Sequence, residues 1–344
     1  KPGSHGINRP ANTARTRMKV LLTGATGFVG SHVLDRLCAK GIQTVILLRN
    51  TSNTQFISRH LDKIELRYGA VTDPESVSNA LGDVTHVVHC AGLTKALKVA
   101  DFYQVNHIGT RVVVEAVNRH TGQVQRLLHV SSLAAAGPVK PGERAHESDP
   151  PRPVSHYGKS KLAAELEVKQ NCKVEFVILR PPAVYGPRDE GFLPLFRTIT
   201  RHVRPVLWGG IKELSLVFAH DLADAIVTCL LHPAAAGKTY FIANPEIVPT
   251  ERFTSQIAKH LNTWTVSVPL PVPVLLPMFA MLELVSLLTG HATIMTSQKY
   301  AELRAPAWVC DPTRAQTELG ITCPTTLETG VALTIDWYRQ QGWL

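Results

Sequence analysis

The sequence predicts an α/β protein, a doubly wound parallel sheet followed by a smaller, mostly helical C-terminal region that would bind substrate. Three observations predict it. Short apolar runs alternate with helical stretches from Met18 to Arg180. A glycine-rich turn, Thr23-Gly24-Ala25-Thr26-Gly27-Phe28-Val29-Gly30, follows the first run. After Arg180 the prolines crowd in (Pro181, Pro182, Pro187, Pro194, Pro205) and the alternation breaks. Alternating strands and helices specify a parallel sheet covered on both faces, because every crossover must pass over the sheet.

In chain order, the apolar runs predict strands over 18–23, 44–48, 64–68, 85–89, 126–130 and 174–179. Helical periodicity occupies 28–40, 74–81, 101–118 and 156–170, and later 220–231, before a strand over 239–243. The division that follows is 18–181 plus 211–243 for a dinucleotide-binding domain, and 182–210 plus 244–344 for a substrate-binding region. Residues 1–17 lack an apolar core of the secretory type and read as a disordered leader or non-native remnant, with Met18 as the natural start and an Arg-bearing transit peptide as the alternative. No internal repeat or low-complexity segment interrupts the pattern.

With 344 residues, 44% of them hydrophobic, the chain can bury a large core. The net charge of +9 raises the question of nucleic acid. The basic residues are scattered, however, and no base-stacking or groove-reading motif accompanies them, so nucleic acid is not an expected partner. Cys38, Cys90, Cys172, Cys229, Cys310 and Cys323 show no metal-ligand spacing, so no metal is expected. Free thiols in a reducing, cytoplasmic setting are the expectation. Residues 266–289 carry one charge, Glu283, and the prolines Pro269, Pro271, Pro273 and Pro277. That length could cross a bilayer, but the proline density argues against one straight helix. A buried cap over an apolar pocket is the preferred expectation, and peripheral membrane contact through 266–289 the alternative.

The glycine turn has a Rossmann-type context, after a strand and at the opening of a helix. Glycine lets the backbone approach a pyrophosphate, and the helix N-terminus offers unpaired N–H groups. Cofactor contacts are therefore expected at Gly24, Thr26, Gly27, Phe28, Val29 and Gly30. At the end of the second strand an acid would bind the ribose hydroxyls of NAD, whereas arginine would pair with the extra phosphate of NADP. The chain reads Leu48-Arg49-Asn50 there, which favours NADP(H), with NAD(H) as second choice.

Tyr157 and Lys161 lie four residues apart, on one helix face. An adjacent ammonium is expected to lower the tyrosine pKa and fit it for proton exchange with a hydroxyl or carbonyl. Ser131 and Ser132 follow a strand end, where open α/β sheets bind ligands. One is expected to satisfy backbone groups in the turn, and Ser132 to hydrogen-bond the substrate oxygen.

These motifs together resemble the short-chain dehydrogenase/reductase superfamily: the glycines at 24–30, Cys90-Ala91-Gly92, Asn106, Ser131-Ser132 and Tyr157/Lys161. Arg180-Pro181-Pro182-Ala183-Val184-Tyr185-Gly186-Pro187-Arg188 and Val217-Phe218-Ala219-His220-Asp221 resemble its extended branch. That branch includes nucleotide-sugar epimerases and dehydratases, dihydroflavonol reductases and 3β-hydroxysteroid dehydrogenases. The resemblance implies Ser132, Tyr157 and Lys161 as catalytic residues. It implies that Ala91, Gly92, Ser131, Tyr157, Lys161, Pro182 and Val184 face the cofactor, and that Asn106 braces the backbone around it. The branch often has an acid after the glycine ending the third strand. Here Gly69-Ala70-Val71 leaves Asp73 or backbone to contact adenine, and Asp73 reads equally as a helix cap before Pro74.

Nucleotide-sugar enzymes of this branch have an arginine shortly before the Val-x-x-x-Asp element, where this chain has Leu214-Ser215-Leu216. Arg197, Arg201 and Arg204 could compensate, although surface charge explains them equally. The expected reaction is hydroxyl–carbonyl interconversion on an apolar, sterol-like or long-chain substrate. The alternatives are a nucleotide-sugar epimerase or dehydratase and a non-catalytic dinucleotide sensor, the latter disfavoured by the intact Ser/Tyr/Lys set. Asp221 is expected to cap the helix that follows it. A homodimer is the oligomer considered.

Overall fold

The structure, a computed structural model, describes residues 18–289 and 297–344. The proposed leader at 1–17 lies outside the described residues. The strands are β1 Lys19–Thr23, β2 Gln43–Leu48, β3 Glu65–Tyr68, β4 His86–His89, β5 Arg126–Val130, β6 Glu175–Arg180, β7 Ala183–Tyr185, β8 Val203–Trp208, β9 Glu213–Phe218, β10 Lys238–Phe241, β11 Ile247–Pro249, β12 Val266–Pro271 and β13 Ala307–Trp308. The helices are α1 Phe28–Ala39, α2 Pro74–Ala80, α3 Val99–Phe102, α4 Gly109–Arg119, α5 Leu133–Ala136, α6 His156–Asn171, α7 Leu193–Thr200, α8 Ala219–Leu231, α9 Thr250–Leu261, α10 Val272–Thr289, α11 Ser297–Arg304, α12 Thr313–Leu319 and α13 Leu327–Gln340. The helix expected over 101–118 is α3 and α4 joined by a π-helical stretch, Tyr103–Ile108, that carries Asn106.

Seven strands form one sheet in the order β10-β6-β5-β4-β1-β2-β3, every pair parallel. The strand period of two explains how both faces are buried. Val20 and Leu22 point to one side, where Leu34 and Leu37 of α1 and Leu222 and Ile226 of α8 cover them. Leu21 points to the other, beneath Val77 of α2, Val113 and Val117 of α4 and Val168 of α6. The strand order reverses between β1 and β4, which opens a crevice at their carboxyl ends.

The remaining strands build the second region. β9 pairs with β7, β11 and β13 rather than with the large sheet, although it falls within the 211–243 segment grouped with that sheet above. Tyr185, Phe196, Phe218, Phe253, Ile257 and Val331 form its core. A parallel ribbon of β8 and β12 stands beside it.

Two expectations are corrected here. Residues 266–289 are not a buried cap. Pro269 and Pro271 belong to β12, and α10 runs unbroken from Val272 despite Pro277. Pro273 falls in its first turn, where no N–H is needed. Most of α10 faces outward, with Val274, Met281, Leu284 and Leu288 all exposed. Nor does Asp221 cap α8, which begins at Ala219. Its carboxylate accepts from the backbone N–H and the hydroxyl of Thr325, at 2.9 and 2.8 Å, and so pins the segment leading into α13.

Candidate active site

The site gathers at the carboxyl ends of β1, β4, β5 and β6. Gly24 turns the chain at φ +74°, and a Cβ there would lie 2.7 Å from the Ala91 nitrogen. A Cβ on Gly30 would lie 2.1 Å from the Gly24 carbonyl oxygen. Only glycine permits these approaches. Helix α1 has Gly27 at its N-cap, no side-chain cap and no acid in its first turn. Its first amides thus receive no side-chain cap, which suits the pyrophosphate of a dinucleotide.

A hydrogen-bonded chain links this cradle to the catalytic helix. Thr23 Oγ1 accepts from the Ala91 N–H at 3.2 Å and pairs with His89 at 2.8 Å. His89 in turn reaches Thr110, which donates to the Asn106 carbonyl at 2.6 Å. Asn106 bonds Leu93 through both its amide groups, at 2.7 and 3.1 Å, and donates to Ser160 at 2.9 Å. Asn106 therefore fastens the loop after β4 to α6.

Ser155 caps α6, accepting from the Gly158 N–H at 3.1 Å. Lys161, only 4% exposed, donates through Nζ to the Val130 carbonyl at 2.6 Å. Burial lowers its pKa to about 8, while Cys90 and the Glu165 carboxylate oppose the fall. A Cβ on Gly92 would sit 3.6 Å from that Nζ, so Gly92, Asn106 and Lys161 share one small space. Tyr157 lies beside Ser132. Its pKa is not lowered as expected. Burial pushes it up to about 12, the neighbouring Ser132 hydroxyl opposes the rise, and the nearby Glu302 carboxylate adds to it. The Lys161 ammonium is held by the Val130 carbonyl.

The two serines separate by partner. Ser131 is buried and donates to Glu165 Oε1 at 2.6 Å, a carboxylate that also takes two bonds from Arg180, at 2.8 and 2.6 Å. Its hydroxyl is thus directed to Glu165 in the interior. Ser132 caps α5, accepting from the Ala134 N–H at 3.1 Å, and stays beside Tyr157.

The other expected contacts surround the crevice. Thr26, Phe28 and Val29 lie at the cradle, and Pro182 and Val184 follow β6. Arg49 is exposed at the end of β2 and makes no ion pair among the described residues. Asp73 caps α2 by accepting from the Glu75 N–H at 3.2 Å.

Sequence reasoning missed Glu302, which accepts from the Ser155 hydroxyl at 2.7 Å, and Glu165. A serine just before the Tyr157 helix was a readable capping signal. Its partner in α11 was not, because nothing local relates the two segments.

A profile of the NAD dependent epimerase/dehydratase family matches residues 20–243. A ceramide reductase of Caulobacter vibrioides is 30% identical over 340 residues, covering 94% of this chain and 96% of that protein. A UDP-glucose 4-epimerase of Vibrio cholerae is 27% identical, covering 93% and 95%. The crystal structure of the Thermus thermophilus UDP-glucose 4-epimerase in complex with NAD superposes with a TM-score of 0.74 at 24% identity, over 94% of this chain and 99% of that one, and shares the fold. With the doubly wound sheet and the glycine cradle, these matches establish that the chain belongs to the NAD-dependent epimerase/dehydratase family and is an NAD(P)-dependent enzyme of the extended short-chain dehydrogenase/reductase type.

Proposed function

We propose that the enzyme interconverts a hydroxyl and a carbonyl on an apolar, long-chain or sterol-like substrate and prefers NADP(H) to NAD(H). The observation that carries the substrate class is the pair of apolar side chains standing where a phosphate grip would lie in the second region. Leu214 and Leu216 pack into its core where an arginine would be needed. Arg197 donates to the Trp343 carbonyl at 3.0 Å, and Arg204 to Ser267 at 2.6 Å. A diphosphate brought beside Leu214 and Leu216 would find apolar side chains there, and the nearby Arg197 and Arg204 are each held by another partner. The similarity to a ceramide reductase supports the same class. The exposed Arg49, with no ion-pair partner among the described residues, supports NADP(H), since its guanidinium is available to a ribose phosphate.

When bound, the nicotinamide supplies or accepts the hydride at the substrate carbon. Tyr157 donates its proton to the substrate oxygen in reduction and takes it back in oxidation. Ser132, beside Tyr157, holds that oxygen in reach. Lys161, charged below a pKa of about 8, favours the phenolate once its contact with Val130 is shared. A cytoplasmic setting and contact of 266–289 with a membrane, where such substrates reside, belong to the same reading.

The test is NADPH oxidation with detergent-dispersed long-chain ketones, run beside UDP-glucose. NADPH-dependent reduction of the ketones is expected. Interconversion of UDP-sugars without net NADPH consumption would replace this reading with the epimerase one, which the similarity to the Vibrio cholerae enzyme supports.

A further inference from the structure

Helix α10 has the length and composition of a membrane span, with a mean hydropathy of 2.0, yet only 22% of it is buried. Its buried side chains, Val272, Leu275, Phe279 and Ser286, fall on one narrow stripe. Part of that stripe packs on Leu207, Tyr300 and Leu303. The exposed residues Val274, Met278, Met281, Leu284, Leu287 and Leu288 sweep roughly 180° of the circumference at 3.6 residues per turn. A soluble helix shows water a polar face. This one offers apolar side chains on both its protein side and its outer side.

The base of α10 has a different chemistry. Trp208, 71% exposed, ends β8 opposite Pro271, one residue before α10 begins. The Ile211 N–H donates to the Leu303 carbonyl at 3.0 Å and the Lys212 N–H to the Pro306 carbonyl at 2.8 Å, so exposed Lys212 and Arg304 are brought to the same corner. Gly210 makes this corner possible. A Cβ there would lie 2.6 Å from Val272 and 2.7 Å from the Leu303 carbonyl oxygen. A tryptophan with flanking cations at the foot of an apolar helix matches the order of a bilayer, in which hydrocarbon lies beneath an interface of rings and headgroups.

We propose that α10 is a monotopic docking element for an anionic bilayer, its exposed apolar arc entering the hydrocarbon boundary and Trp208, Lys212 and Arg304 meeting the headgroups. A bilayer suits the arc better than a second copy, because a flat protein face could cover only part of so wide a sweep. Anionic lipid suits the basic corner and the net charge of +9. Docking is felt close to the chemistry, since α11 packs on α10 and its Glu302 holds the Ser155 cap of the Tyr157 helix. The proposal rests on the functional reading only for the idea that substrate is drawn from the membrane. Docking is measured without substrate.

The test is flotation of the full chain with phosphatidylcholine vesicles and with phosphatidylcholine/phosphatidylglycerol vesicles. The protein is expected to float with the mixed vesicles and markedly less with phosphatidylcholine alone. Met281→Glu with Leu288→Glu should lower partitioning by roughly tenfold or more, given the area each side chain removes from water. Lys212→Glu with Arg304→Glu should abolish the preference for anionic lipid. NADPH affinity and melting temperature report whether each variant is folded. No flotation of the wild type, or unchanged flotation of folded variants, overturns the proposal. So does a dimer in solution that Met281→Glu with Leu288→Glu dissociates while the wild type ignores vesicles. Flotation without ketone turnover would sink the functional reading alone, and turnover without flotation the docking proposal alone.

Discussion

The Lys161 ammonium donates to the Val130 carbonyl at 2.6 Å, tying the middle of α6 to the end of the strand that delivers Ser132. Tyr157 and Lys161 thus stand on α6, and Ser132 follows β5 at the N-cap of α5. Tyr157→Phe removes only the phenolic hydroxyl with its exchangeable proton. Turnover should fall on the order of 10²–10⁴-fold, the range of general acid–base contributions, with NADPH affinity almost unchanged. Single-turnover kinetics and calorimetry check both halves, and turnover within a few-fold of wild type would exclude Tyr157 as the proton donor.

Arg49 stands exposed at the end of β2. Arg49→Asp should weaken NADP(H) binding on the order of tenfold or more and improve the NAD(H)/NADP(H) ratio, because the guanidinium–phosphate bonds are replaced by repulsion. Titration of both cofactors against wild type and variant measures it. Tighter binding of NAD(H) than NADP(H) by the wild type would reverse the assignment.

Gly30→Ala would place a methyl 2.1 Å from the Gly24 carbonyl oxygen, inside the cradle. The turn must shift to admit it, at a stability loss of about 1–3 kcal/mol. The wild type should melt at a higher temperature with NADPH present, and the variant should show little of that gain. An equal ligand-induced gain in the two proteins would show that the turn does not hold the cofactor.

Asp189 is 4% exposed, and burial raises its pKa to about 7 against the backbone N–H bonds from Gly191 and Phe192, with Glu190 adding to the rise. An unfolded carboxyl titrates near about 4. Between those values the folded protein holds a proton that the unfolded chain has released, so stability should fall as pH rises from about 4 to about 7. Asp189→Asn should flatten that slope, by an amount on the order of 1–4 kcal/mol across the window. Denaturant midpoints for both proteins at about pH 5 and about pH 7.5 decide it, and parallel slopes would assign the decline to other groups.

Where the determinants were local, the sequence was enough. Buried parallel strands announce themselves as short apolar runs, and β1, β2, β4, β5 and β6 lie where those runs predicted them, within a residue or two. The glycine turn was legible because its conformational demands admit few other residues, and Tyr157 and Lys161 because a helix brings residues four apart to one face. Tertiary structure decided what depends on distant partners. Glu165 draws Ser131 inward and leaves Ser132 beside Tyr157, Thr325 turns Asp221 from a cap into a clamp, and Glu302 reaches Ser155 from α11. The apolar stretch at 266–289 shows the limit most clearly. Hydropathy belongs to the residues themselves, but burial depends on what packs over them, and only the folded chain shows that one stripe of α10 is covered while the wide arc beyond it is exposed.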